Sequence, residues 1–543
     1  MESLHELEII IMLLAVVLAL TTLARRLLLP YPILLVLGGL ILGLLPGIPT
    51  IQLNPDLVFL VFLPPILWAA AYFTSLREFR ADLRPITLLA VGLVLVTTAT
   101  VAILAHAIFP GLSWAGAVTL GAIVSPPDAV AATAIARQLR IPRRIVTVLE
   151  GESLVNDATA LVLYRTAVGA AVTGSFLIGE AFFNFVVAGL GGLVVGIAVG
   201  MLTRWVLRYT VDSFSEIAIT LLAAYLAWVV GEILHVSAVL ACVAGGFYLR
   251  RHFSEDVAPI TRLQARSVWD TVIFILNGII FILIGLQLGA LRDEIVAAGI
   301  GSLLWKGALI SAAVIAVRLM WVPVAEYLPR RIAPSIRARD PMPPASHIFL
   351  VAWTGMRGIV SLAAALALPL LTTSGAAFPF RAEIIAITFL VILSTLVLQG
   401  LSLAPLIRAM TFEEDGTLDR EEAFAREQAA TGALQRLDTL VDAAWPLPDH
   451  VDRLRSHYAR RAKRFANPTE TDPDCSSEGA DAFRRLRHET LTAERRAVID
   501  LRNRGAISDE VLHRVEHELD VEALRLGIGD VRSNGSDSSQ PIQ

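Results

Sequence analysis

From about residue 8 to about residue 408, apolar runs long enough to cross a bilayer follow one another with short polar breaks. No other feature constrains the fold as strongly. Inside hydrocarbon, backbone N–H and C=O groups must find partners within the protein, and runs of this length do so as helices. Composition agrees: 55% of the residues are hydrophobic, 17% are charged, and the mean hydropathy is +0.66. The chain reads as an all-α integral membrane protein.

The runs give about thirteen spans, at approximately 8–28, 32–46, 56–75, 86–109, 113–136, 147–171, 177–207, 214–234, 236–249, 267–290, 300–326, 346–371 and 384–408. Arginines test that count. Odd-numbered spans are followed by Arg25 and Arg26, by Arg77, Arg80 and Arg84, by Arg137, Arg140, Arg143 and Arg144, by Arg204 and Arg208, by Arg250, Arg251, Arg262 and Arg266, and by Arg330, Arg331, Arg337 and Arg339. Even-numbered spans are followed only by Arg292 and Arg381. The positive-inside rule places the arginine-rich loops in the cytoplasm. The expected topology is a multi-pass plasma-membrane protein, N-terminus outside and C-terminal tail inside. Glu2, Glu6 and Glu8 stand where a signal peptide would be positive, so the first run reads as a membrane helix. Nothing suggests a nucleic-acid partner. The two cysteines, Cys242 and Cys475, offer neither a metal spacing nor a disulfide.

One run breaks the apolar rule. Leu149 to Tyr164 reads Leu-Glu-Gly-Glu-Ser-Leu-Val-Asn-Asp-Ala-Thr-Ala-Leu-Val-Leu-Tyr. An ionised carboxylate at bilayer depth is costly, so Glu152 and Asp157 point to use. Ser153 and Asp157 are four apart and share a helix face, with Glu152 and Asn156 on the neighbouring stripe. An oxygen-rich cluster of this kind suits a hard cation or a proton. The alternative is structural: Glu152 pairs with an arginine and Asp157 caps a neighbouring helix.

Two other spans are interrupted. In the fifth, Ser125-Pro126-Pro127-Asp128 removes two backbone donors in mid-span, so carbonyls near Ile123 and Val124 lose their helical partners. Free backbone at that depth lines a cavity or lies within protein. Asp128 sits at the break, where capping alone is the competing explanation. In the twelfth, Gly355-Met356-Arg357-Gly358 brackets an intramembrane arginine. Spans five and twelve cross in opposite directions. A pair of interrupted spans in corresponding positions points to inverted repeats, here spans one to six and eight to thirteen with the seventh joining them. Arg357 needs a partner; Glu152 is the natural one, with Asp128 and Asp157 as rivals. Arg318 supports the core, while Asp270, Asn277 and Gln287 read as helix-to-helix hydrogen-bonding groups.

After residue 410 the apolar runs end and charges become dense. Residues 411–543 read as a small cytoplasmic helical tail, joined to a transmembrane domain of residues 1–410. Its clearest helix runs from Ala482 to about Arg504, with Gly505 as a stop and Ser508 as the next cap. Arg532 to Gln543 reads as disordered.

The string Gly151-Glu152-Ser153-Leu154-Val155-Asn156-Asp157, with Ser125-Pro126-Pro127-Asp128 before it and Gly355-Met356-Arg357-Gly358 after it, resembles the monovalent cation:proton antiporter-1 family. That family holds bacterial sodium/proton antiporters of the NhaP type and animal sodium/hydrogen exchangers. The resemblance implies a homodimeric, cofactor-free antiporter, not an enzyme, that exchanges Na+ or another monovalent cation for a proton. It further implies that Asp157 binds cation and proton with Asp128 and Ser153, that Asn156 replaces a second aspartate found in electrogenic relatives, and that Glu152 and Arg357 form a buried ion pair. One departure stands out. Many relatives carry Thr or Ser before the broken-span Asp and Pro after it, whereas here Pro127 and Ala129 flank Asp128, which leaves the hydroxyl ligand open with Ser125 as the candidate to replace it. A channel would need a selectivity loop or pore rings, which are not visible. A membrane sensor would explain the tail but not the paired breaks.

Overall fold

The computed structural model describes residues 2–27, 30–45, 55–130, 132–133, 141–174, 178–210, 212–257, 259–290, 299–340, 342–373, 375–410, 417–441, 447–466, 477–504, 511, 515 and 518–523. Among them, regular structure is helical apart from one isolated bridge, Leu371 to Ala377. Backbone packing divides the chain into two units, Met1–Phe412 and Glu413–Gln543.

In the first unit we number the main helices α1 (Glu2–Leu27), α2 (Tyr31–Leu44), α3 (Val58–Phe73), α4 (Leu83–Ile108), α5 (Trp114–Val124), α6 (Arg143–Thr173), α7 (Ile178–Leu207), α8 (Ser213–Ile233), α9 (Ala238–Asp256), α10 (Pro259–Ala290), α11 (Ile300–Ile332), α12 (Ala345–Trp353), α13 (Ile359–Leu366) and α14 (Arg381–Ala409). Six helices among the described residues are long and apolar enough to cross a membrane alone: α4, α8, α11, α14 and the apolar parts of α7 and α10. Helices α2, α3 and α5 are apolar but shorter. In the second unit α15 (Thr417–Leu440) packs against α16 (Pro448–Ala466), and α17 (Ser477–Asn503) follows. Residues 134–140, Gly505, Ser508 and Arg532 to Gln543 lie outside the described residues.

The helices of the first unit form two groups. One comprises α1, α2, α3, α7, α8, α9 and α10; the other comprises α4, α5, α6, α11, α12, α13 and α14. Small residues set the first group's closest seam. On α2 and α10, Gly39 faces the Ile282 carbonyl and Gly285 faces the Val36 carbonyl, and a Cβ at either would collide with backbone. Gly39 with Gly43, and Gly285 with Gly289, each keep the four-residue spacing that lets membrane helices touch backbone to backbone.

Both interrupted spans are broken in the structure. Helix α5 stops at Val124, Ser125 to Asp128 leave the regular pattern, and helix resumes at Ala129. Helix α12 stops at Trp353 and α13 begins at Ile359. The two breaks meet, with the Asp128 N–H donating to the Met356 carbonyl at 2.7 Å.

Charged side chains gather at one end of the bundle. Arg84 reaches Asp340 at 2.7 Å, and Arg144 bridges Asp82 and Asp340 at 2.9 Å each. Arg330 joins Asp340 at 2.7 Å and also pairs with Glu326. The segments after α3, before α6 and after α11 therefore share one side, in keeping with the arginine pattern.

Candidate ion-binding site

A cavity of about 560 Å³ lies between the two helix groups. Residues of α3 and α10 line one wall. The α5 break, α6 and the start of α13 supply the other, including Asp128, Glu150, Ser153, Asp157 and Ser361. It runs from Glu150 and Arg266, in the N-terminal third of α6 and α10, to Asp157 and Asn277 further along the same helices.

Asp157 is 7% exposed and faces this cavity. Among the described residues no group donates a hydrogen bond to its carboxylate. Ser153, one turn earlier, lines the same wall, as the four-residue spacing requires. Asp128 enters from the break. Its Oδ1 accepts the Val130 N–H at 2.8 Å, capping the helix that resumes there, while its other oxygen lies over Gly358. A Cβ at Gly358 would overlap that oxygen, so the close approach requires glycine. The capping reading and the cavity-facing reading of Asp128 are thus compatible.

Carbonyls at the end of α5 that Pro126 and Pro127 leave without helical donors take side-chain donors at Ala122, Val124 and Ser125. Ser125 Oγ donates back to the Ala122 carbonyl at 3.1 Å. Arg357 Nε donates to the Val124 carbonyl at 3.1 Å and Nη2 to the Ser125 carbonyl at 3.4 Å, while Nη1 bonds the Gly355 carbonyl. The backbone N–H of Arg357 is itself tied to Thr395 Oγ1 on α14 at 3.1 Å. A guanidinium at the C-terminal end of α5 also meets the negative end of that helix dipole.

Several sequence expectations need correction. Glu152 pairs not with Arg357 but with Arg318 of α11. The contact is bidentate, Nη1 to Oε1 at 2.5 Å and Nη2 to Oε2 at 2.8 Å, and both side chains are buried. The physical reason is distribution of work: Arg318 also donates to the Val351 carbonyl near the end of α12, at 3.2 and 3.0 Å, while Arg357 is spent on α5. Each broken span thus has an arginine at its first half-helix. Asn156 is buried off the cavity wall. Its Nδ2 donates to the Pro127 carbonyl at 2.8 Å, so it ties α6 to the break from behind. Ser125 donates to the Ala122 carbonyl and does not line the cavity, so its position, not its hydrogen bond, removes it as a substitute ligand. The hydroxyl residues on the wall are Ser153, Thr133, Ser361 and Tyr31 instead, with the amide of Asn277 opposite. Thr133 donates to the Ala129 carbonyl at 2.9 Å, leaving its lone pairs available. Asp270 lines the cavity beside Arg266 at 3.7 Å, and Glu150 accepts from Thr74 at 3.1 Å.

The arrangement places two buried carboxylates, Asp128 and Asp157, among several neutral oxygens, while Glu150 and the Arg266–Asp270 pair line the cavity toward the helix starts. That chemistry fits a small cation or a proton, both hard and both neutralised by carboxylate.

Comparison with known proteins agrees. The family model "Sodium/hydrogen exchanger, transmembrane" matches residues 11–409. An uncharacterized Na+/H+ exchanger of Mycobacterium tuberculosis is 36% identical over 531 residues, covering 96% of each chain. A sodium, potassium, lithium and rubidium/H+ antiporter of Bacillus pumilus is 30% identical over 423 residues, 75% of this chain and 62% of that one. The solved structure of the sodium proton antiporter MjNhaP1 from Methanocaldococcus jannaschii shares the fold at a TM-score of 0.59 and 18% identity, over 75% of this chain and 99% of that one. The family match spans the cavity, both breaks and the arginines Arg318 and Arg357 that hold them, and the chain belongs to the sodium/hydrogen exchanger family, the monovalent cation:proton antiporters that its motifs resemble.

Proposed function

We propose that this chain exchanges Na+ for H+ across the plasma membrane by competition at Asp157. One observation carries the reading: Asp157 is buried on the wall of a cavity it shares with Asp128, and among the described residues nothing donates to its carboxylate. A bare carboxylate is costly to move through hydrocarbon, whereas the same group holding a proton or a cation is nearly neutral. The group carrying α5, α6, α12 and α13 moves against the α1, α2 and α10 group when Asp157 is loaded and stalls when it is empty. Competition at one site with alternating access then yields antiport. The crossed breaks, each held by a buried arginine, support two inverted repeats with the site at their crossing. The α1, α2 and α10 group is the scaffold of a homodimer.

The cavity mouth lies toward the arginine-rich end, so by the positive-inside rule it opens to the cytoplasm and the tail from residue 411 is cytoplasmic. The name of the Bacillus pumilus relative favours a second reading in which K+, Li+ and Rb+ also serve. Exchange is one for one. Asn156 has no proton to release, and Asp128 already spends Oδ1 on the Val130 N–H, which leaves Asp157 as the group that exchanges its proton. Reconstituted protein tests this. Na+ on one side should drive protons out of the other, and an imposed voltage without a pH gradient should drive no Na+ uptake. Absence of Na+-dependent proton flux overturns antiport of Na+; voltage-driven uptake overturns electroneutrality.

A further inference from the structure

Helix α10 presents a stripe to the cavity at helical spacing: Arg266, Asp270, Ile273, Asn277, Ile280 and Phe281. Its polarity falls with depth, from an ion pair near the start of the helix to aromatic and aliphatic side chains. Asn277 is the deepest polar group of that stripe. It is 6% exposed, yet among the described residues its amide makes no hydrogen bond, unlike a residue placed to stitch helices together. Ser361, on α13, is in the same condition: it is 1% exposed, lines the cavity, and its Oγ has no partner. Buried amides and hydroxyls left unbonded are rare, because each keeps its desolvation penalty. Both residues line the space that holds Asp157 and Asp128.

We propose that the side-chain carbonyl of Asn277 and the hydroxyl of Ser361 are ligands of the transported cation. They complete a shell begun by Asp157, Asp128 and Ser153; the inference rests on the exchange reading above. A hard cation needs several oxygens, and neutral ones raise the coordination number without adding charge. A proton needs one oxygen only. Asn277 and Ser361 therefore discriminate between the competing ions: they hold the cation and are indifferent to the proton. Their placement has a second consequence. Ser361 belongs to the helix group that carries Asp157, and Asn277 belongs to the other. A cation held by both bridges the groups across this cavity, and the bridge breaks when they move apart. Asn277 thus acts on the cavity side only, whereas Ser361 travels with the site.

The test uses full-length protein in oriented proteoliposomes, with Na+ as the probe. Asn277→Ala should raise the KM for Na+ about tenfold on the cavity side, with little change from the opposite side, and leave Vmax within about twofold; this is on the order of the loss of one ligand to a cation. Ser361→Ala should raise KM from both sides. Asn277→Asp, which keeps an oxygen donor, should restore the KM lost in Asn277→Ala. Unchanged KM in both alanine variants overturns the proposal. So does a fall in Vmax with unchanged KM and a lower melting temperature, which marks a structural role. If Asn277→Ala does not fold, Asn277→Leu, which removes the oxygen at similar volume, and Ser361→Ala decide the matter by the same KM criterion. Na+-induced thermal stabilisation in detergent separates this proposal from the exchange reading. A shift in wild type that shrinks in the variants supports the ligands even without transport. No shift in wild type overturns both.

Discussion

Glu152 and Arg318 meet in a bidentate pair with no solvent at either side chain, far apart in sequence and on different helices. Such a pair adds little net stability over apolar residues, but removing one partner strands a buried charge. Glu152→Gln or Arg318→Ala should each cost about 3–5 kcal/mol, and the double substitution less than their sum. Thermal melting in detergent checks this; additive losses would separate the two residues. Glu152→Gln with Arg357→Ala should instead come close to additive, since Arg357 bonds carbonyls. The sequence identified all three charges, because each is conspicuous inside an apolar run. It could not pair them. Two buried arginines competed for one glutamate, and the choice rests on which half-helix end each guanidinium reaches. The same limit hid the role of Asn156, whose spacing places it beside Glu152 but says nothing about the Pro127 carbonyl behind it.

Among the elements, the breaks were the most legible, because proline removes donors and glycine flanks mark irregular backbone wherever they fall. The cavity wall opposite was not. Asn277 sits in an ordinary apolar helix, and only packing of α10 against α2 turns it toward Asp157. The charged cluster joining the ends of α3, α6 and α11 was legible as arginines of one side, though not as a hub on Asp340. There, burial holds the Asp82 carboxyl above its ordinary value of 3.8; Arg144 pulls it down, while Asp340 and Glu326 push it up. An acid whose folded value is raised binds its proton better folded than unfolded. The stability it contributes is complete below 3.8 and is lost as pH rises through the folded value. Asp82→Asn should therefore gain on wild type as pH climbs out of the acid range, with a constant difference near neutrality. Melting of both proteins from about pH 4 to about pH 7 reads this directly, and a difference that grows toward low pH contradicts it.

At the scale of the whole molecule, every residue lining the cavity among the described residues lies between Tyr31 and Ser361. Truncation after residue 415 should leave exchange intact and change its rate or pH dependence; a truncated protein that inserts but does not transport would contradict this. The tail's charged composition marked it as a separate unit in the sequence, and helices α15 to α17 occupy it. The claim on which the rest depends is that one carboxylate, Asp157, holds either a cation or a proton. Its most direct test is proton release on cation binding in weakly buffered detergent solution, without membrane or gradient. Adding Na+ to wild type near the pH of half-maximal transport should release protons in saturable fashion, and Asp157→Asn should release none. Saturable Na+ binding to wild type with no proton released would contradict the account.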